Sequence, residues 1–133
     1  MHPDTKALTD EHRAIDELFG GFLAAASAED AGAAGAAIAA FDDALRRHTA
    51  FEEERLFAPS TGKLAVPESE TPAELLHREL RLEHVQVREL SAMIRRLVEE
   101  RGDLAGALRL AGNLARRWDA HTGREERELF SAL

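Results

Sequence analysis

One pattern occurs twice in this chain and limits what the rest of it can become. Residues 48–57 read His-Thr-Ala-Phe-Glu-Glu-Glu-Arg-Leu-Phe, and residues 121–130, offset by 73, read His-Thr-Gly-Arg-Glu-Glu-Arg-Glu-Leu-Phe. Nearly the same offset relates Glu11-His12 to Glu83-His84, each followed by a Glu-Leu pair, Glu17-Leu18 and Glu89-Leu90. Each half therefore supplies a lone His, then a His with a Glu four residues on. These are metal-ligand residue types. Doubled about a pseudo-two-fold axis, they would build a site for two metal ions.

The 133 residues are expected to form one domain, 1–133, with enough chain to bury a core unaided. The absence of Cys excludes a disulfide framework, a thiolate metal site and a Cys nucleophile. Any metal must then rest on nitrogen and oxygen. A net charge of −8 argues against a nucleic-acid partner. No signal layout opens the chain, and Glu29, Asp30, Gly32 and Gly35 break the one Ala-rich run, so neither export nor a membrane span is expected. A cytoplasmic location is the default.

Ala, Leu, Glu and Arg dominate, which favours helix. Leu8, His12, Ile15, Phe19 and Phe22 form the apolar stripe of a first helix, from Thr5 or Thr9 to Ala26. Phe41, Leu45, His48, Glu52 and Leu56 mark a second, from Asp30 to Phe57, followed by a loop over Ala58 to Glu70. Thr71-Pro72-Ala73-Glu74 is a capping box that opens a third helix, and Gly102 is its stop. The fourth runs from Asp103 almost to the C-terminus. The short link at 101–103 forces antiparallel neighbours. The predicted architecture is all-α: an up-down-up-down antiparallel four-helix bundle with an internal two-fold repeat. No second continuous apolar face argues for an obligate oligomer, so a monomer or weak homo-oligomer is expected.

On a helix, residues four apart lie about 40° and about 6 Å from each other. His48 with Glu52, and His121 with Glu125, therefore share a face within stripes of Leu, Phe and Trp. A carboxylate there is costly unless something positive pairs with it. The 15 Arg fall mostly off these stripes, which leaves a metal as the partner. A single His on an apolar stripe is more often a satisfied core residue than a ligand, and one His-x-x-x-Glu is a common helix pair. The doubled set is what carries the argument. Imidazole and carboxylate together suit iron, manganese or zinc, and six ligands exceed one tetrahedral zinc site.

The order lone His, His-x-x-x-Glu, lone His, His-x-x-x-Glu resembles the hemerythrin-like, or HHE cation-binding, domain. So do the Glu-Glu and Leu-Phe that follow each pair. The resemblance spans about Thr5 to Phe130. It implies a four-helix bundle with a non-haem di-iron centre: His12 and His48 on one iron, His84 and His121 on the other, Glu52 and Glu125 bridging, and an oxo or hydroxo bridge. No other cofactor and no catalytic residue beyond the metal centre is implied.

Two departures from the oxygen carriers of that family stand out. Leu80 occupies the position of a fifth His, and the fourth-helix carboxylate is Glu125, four residues after His121, or Glu126, five after it. Glu125 is preferred as the repeat mate of Glu52. A symmetric site with about one open position per iron favours redox chemistry or sensing over reversible oxygen carriage. Catalase-like removal of peroxide, as a di-iron oxidoreductase, is the leading expectation. A module that senses, binds or stores oxygen, nitric oxide or iron without turnover is the alternative. A plain structural bundle is the third reading.

The remaining candidates are lesser. His77 lies about 10.5 Å along the helix from His84, too far to share a metal, and is expected at the bundle end or behind the ligands. Glu74-x-x-His77 has ferritin-like spacing but no second copy. His2 belongs to the terminus. Trp118, with Phe51, Leu45, Leu80, Val87 and Ile15, is expected to wall the site. Gly20, Gly21, Gly112 and Gly123 are candidates for close helix approach or ligand entry.

Overall fold

A computed structural model describes residues 5–57 and 70–133. Four helices, α1 (Thr5–Ser27), α2 (Ala31–Arg55), α3 (Pro72–Arg101) and α4 (Leu104–Arg124), pack each against its chain neighbour, and α1 closes the ring against α4. This is the expected antiparallel bundle. The loop expected before Thr71 lies, except for Glu70, outside the described residues, as does His2. No helix among the described residues is long and apolar enough to cross a membrane.

Local chemistry sets the helix ends. Asp30 caps α2 by accepting from the Ala33 N–H at 3.0 Å. Thr71 and Glu74 exchange the two hydrogen bonds of a capping box at the start of α3. Gly102 ends α3 with φ of 60°, a conformation that disfavours other residues. Asp103 then caps α4 through the Gly106 N–H at 2.8 Å, and a Cβ on Gly106 would come within 2.3 Å of that carboxylate. Only glycine fits beneath the cap. Among the described residues a Cβ on Gly20 or Gly21 would meet nothing within 4 Å, so no close helix approach occurs there.

One expectation about α4 is corrected. The helix does not run on as α to the C-terminus but widens at Glu125 into a π-helical turn, Glu125–Leu129, followed by a 3-10 turn, Phe130–Ala132. The Phe130 N–H reaches back five residues to the Glu125 carbonyl. The end of α2 loosens at the matching place, where the Phe57 N–H donates to the Glu52 carbonyl at 3.0 Å. The extra residue in the turn lets the consecutive Leu129 and Phe130 both be buried.

Two apolar clusters divide the interior. The larger holds Ile15, Phe19, Phe22, Ile38, Phe41, Leu45, Val87, Ile94, Leu114 and Trp118; the smaller holds Leu8, Phe57, Leu80, Leu129 and Phe130. On every helix the site residues fall between members of the two clusters. His12 lies between Leu8 and Ile15, and His48 and Glu52 between Leu45 and Phe57. His84 lies between Leu80 and Val87, and His121 and Glu125 between Trp118 and Leu129. A layer of charge thus crosses the bundle, sealed at both ends by hydrocarbon.

Candidate metal centre

His12, His48, His84, His121, Glu52 and Glu125 meet in that layer, and each is at most 2% exposed. Their ligand atoms form two overlapping groups, His12, His48, Glu52, Glu125 and Glu52, His84, His121, Glu125, each gathered within 4.8 Å. The two carboxylates belong to both groups. Glu125 Oε1 lies 3.1 Å from His12 Nε2 and 3.2 Å from His121 Nε2, and its Oε2 is 3.6 Å from His84 Nε2. Glu52 Oε1 lies 3.3 Å from His48 Nε2 and 3.0 Å from His84 Nε2. Nε2 of His12 and Nε2 of His48 approach to 3.0 Å.

Close as these atoms are, most of them make no hydrogen bond among the described residues. Both oxygens of Glu52, both of Glu125, and Nε2 of His84 and His121 are buried without a hydrogen-bond partner among the described residues. Buried polar atoms are seldom left this way, because each one forgoes its hydration for nothing. Six unpartnered atoms converging on one layer fit a cation pair shared by the two carboxylates.

The outward nitrogens are all engaged. His48 Nδ1 faces Glu11 Oε1 at 2.8 Å, His84 Nδ1 faces Glu53 Oε2 at 2.9 Å, His121 Nδ1 faces Glu83 Oε1 at 2.7 Å, and His12 Nδ1 faces Glu126 Oε2 at 3.0 Å. An ionised carboxylate only accepts, so each Nδ1 carries the proton and donates it. A neutral imidazole so held presents a lone pair at Nε2, the atom aimed inward. Each of these contacts crosses between helices, and together they run round the bundle: α1 to α2, α2 to α3, α3 to α4, and the turn after α4 back to α1.

Sequence reasoning missed this ring of glutamates. A signal was present, since Glu11 and Glu83 occur at the repeat offset, as do Glu53 and Glu126. The ring also divides the roles of Glu125 and Glu126: Glu125 lies inward among the histidines, while Glu126 is exposed and braces His12 from behind.

Charge balance in the layer is visible in the proton affinities. Burial pulls the His48 imidazole down, but the Glu52 carboxylate beside it and Glu11 behind it outweigh this and raise it to about 9. Burial likewise opposes, and Glu125 and Glu83 overcome, the rise of His121 to about 9. His84 is raised in the same way, against burial, by Glu125 and Glu52. Burial disfavours the Glu125 carboxylate, yet His12, His121 and His84 hold it far below the usual carboxylate range. The layer demands positive charge, and in the protein alone protons on imidazole supply it.

The walls are aromatic and aliphatic. Phe130 stacks on His12 with ring centres 5.4 Å apart, and its repeat mate Phe57 stacks on His84 at 5.3 Å. Trp118 lies 5.6 Å from His12 and 5.9 Å from His121, and its Nε1–H donates to Asp16 at 2.7 Å. Leu45, Leu80, Val87 and Ile15 are buried as expected. Phe51 is not: it is 37% exposed, because one residue before Glu52 on a helix points about 100° away from it. His77 stacks on the far face of Phe57 at 5.4 Å, which separates it from the metal-ligand layer.

The sequence description of the hemerythrin HHE cation-binding domain matches residues 3–79, more than half of the chain. The matched region contains His12, His48 and Glu52, the ligand types of the first half. No curated protein and no solved structure matches. With the bundle and its buried His and Glu layer, the match shows that this chain belongs to the hemerythrin HHE cation-binding family.

Proposed function

We propose that the protein is a non-haem di-iron protein that reacts with O₂-derived species, with removal of peroxide as its leading activity. In this reading His12 and His48 would hold one iron and His84 and His121 the other, with Glu52 and Glu125 available to both. The observation that carries it is the set of six buried ligand atoms that find no hydrogen-bond partner among the described residues, four of them on Glu52 and Glu125, the two residues common to both overlapping groups. Bound iron supplies one-electron steps in pairs, which is what reduction or disproportionation of peroxide requires.

The chain's own residues do the rest. Glu11, Glu53, Glu83 and Glu126 fix the tautomer and orientation of the four imidazoles. Phe57, Phe130, Trp118 and Leu80 keep bulk water out, which strengthens every electrostatic contact inside. Leu80 in particular offers no nitrogen, so among the described residues α3 presents one imidazole to the layer. A cleft of about 330 Å³ between α3 and α4, lined by Glu83, Val87, Ala120, His121 and Arg124 among others, gives a small solute a path to the edge of His121. The apolar walls favour one second reading, binding or sensing of a neutral diatomic ligand without turnover.

Metal quantitation after anaerobic loading with iron(II), followed by exposure to air and an absorption spectrum, tests the site. Two iron per chain, with near-ultraviolet bands lost in His48→Ala and His121→Ala, is the expected result; one zinc per chain and no iron would sink it. Peroxide consumption by the loaded protein then separates the two readings.

A further inference from the structure

The geometry points to an inequality within this pseudo-symmetric centre: the His12–His48 position is the tighter cation site and fills first, and Arg88 and Arg124 set the difference. This inference rests on the two-cation reading above. It arises from what stands behind the outer glutamates rather than from the ligands themselves.

In one half each outer glutamate is shared with a guanidinium. Glu53 accepts from Arg88 Nη1 at 2.8 Å, and Arg88 is held in place by a second bond to Thr49 Oγ1 at 3.1 Å. Glu83 accepts from Arg124 Nη1 at 2.9 Å, and Arg124 is further tied to Glu79 and Glu128. In the other half Glu11 and Glu126 meet their histidines, and no arginine bridges to either among the described residues. They are also more open to water: the Glu11 and Glu126 side chains are 45% and 40% exposed, against 27% and 28% for Glu53 and Glu83.

The repeat makes this a substitution of one charge type for another. Its offset puts Asp16 where the second half has Arg88, and Phe51 where it has Arg124. Asp16 adds negative charge near His12, since it accepts from the Trp118 ring that packs against that imidazole.

The consequence follows from elementary electrostatics. A carboxylate that shares its charge with a guanidinium is a weaker acceptor for Nδ1–H, which leaves the imidazole a poorer donor at Nε2. The guanidinium also repels a cation, though less than a fully buried charge would, because both arginines are partly exposed. Both effects lower affinity at His84–His121 and leave His12–His48 unopposed. Outer partners of this kind change metal affinity by about 10- to 100-fold.

The test is an anaerobic titration of metal-free protein with cobalt(II), followed by calorimetry and by the visible absorption of the bound ion. Two cobalt per chain in resolved steps is expected. His48→Ala should weaken the first step by about tenfold, because the first ion must then use the poorer position, while His121→Ala should leave it unchanged. Arg88→Met with Arg124→Met should tighten the second step by about tenfold, and Arg88→Lys with Arg124→Lys should keep the steps apart as in the parent. The arginines are partly exposed, so these variants fold, which far-ultraviolet circular dichroism checks. Equal weakening of the first step by both His variants, or a second step indifferent to the Met variants, overturns the inequality. Failure of the parent to bind two ions would instead overturn the two-cation reading itself.

Discussion

Asp42 and Glu52 lie on the same helix and are 1% and 0% exposed, yet their charges are neutralised differently. Asp42 accepts from Ser91 Oγ at 2.7 Å, Arg95 Nη1 at 3.0 Å and Arg46 Nε at 3.1 Å. Burial works against its ionised form, but these donors hold its carboxyl below the usual value. Among the described residues Glu52 has no hydrogen bond to either oxygen, and Glu125 beside it has none either. The bundle can satisfy a buried carboxylate with its own arginine and hydroxyl, and at Asp42 it does so, tying α2 to α3. Ten residues on, it keeps arginine one shell away and aims only imidazole at the carboxylates. A structural buried acid is closed by hydrogen bonds, whereas these two are left for a cation.

The largest expected effect tests that contrast directly. Glu52→Ala or Glu125→Ala removes a ligand from both groups at once and should abolish retention of the second metal ion, whereas Asp42→Ala should leave metal content intact. Elemental analysis of the three purified variants decides it; metal loss in Asp42→Ala would erase the distinction.

The pH response should differ next. In metal-free protein the neighbouring carboxylates raise His48 and His121 to about 9, from about 6.5 for a free imidazole. The folded state therefore binds more protons than the unfolded one between these values. Stability from these groups is complete below about pH 6.5 and is lost as the pH rises through about 9. Glu125 is shifted the other way, so its contribution is present above its ordinary titration range and lost in acid. Urea unfolding of chelated protein from pH 6 to pH 10 should show the alkaline decline, and Asp42→Ala should show the same slope. Loading with metal, which needs the imidazoles neutral, should flatten the decline and make acid release the ion. A flat alkaline limb in the metal-free protein would mean that these histidines are not held charged.

The smallest effect is on stability at Asp42 itself. Asp42→Ala strands two arginines that can still reach water, so the cost should be about 2 kcal/mol by urea unfolding, below that of a fully buried ion pair. A cost under about 0.5 kcal/mol would remove Asp42 as the structural counterpart of the site.

Much of this was legible in the sequence. The capping box at Thr71, the stop at Gly102 and the stripes through Leu8, Phe22 and Leu45 are patterns within one helix, and the helices form where they lie. The six residues of the central layer stood out because a repeat shows which positions share an environment. The π-helical turn after Arg124 was not legible, since an α-helix and a helix with one wider turn share their local pattern until packing selects between them. Phe51, expected on the inner wall, is instead 37% exposed, since a residue next to Glu52 in the chain turns to another side of the helix. The Asp42 cluster was missed because its donors come from two helices.

What the chain determined by itself is the periodic part: four amphipathic helices, their caps, and two matching sets of one lone His and one His-x-x-x-Glu. Spacing along a helix suffices for these, since each residue turns the side chain by about 100° in a fixed way. Only the tertiary structure decided which glutamate meets which imidazole. Glu11 is next to His12 in the chain but braces His48, and Glu83 is next to His84 but braces His121. Neighbours in sequence point to different sides of their helix, so each Nδ1–carboxylate contact had to be made across an interface. The rotation and register of packed helices set those contacts, and they give the doubled motif two unequal halves.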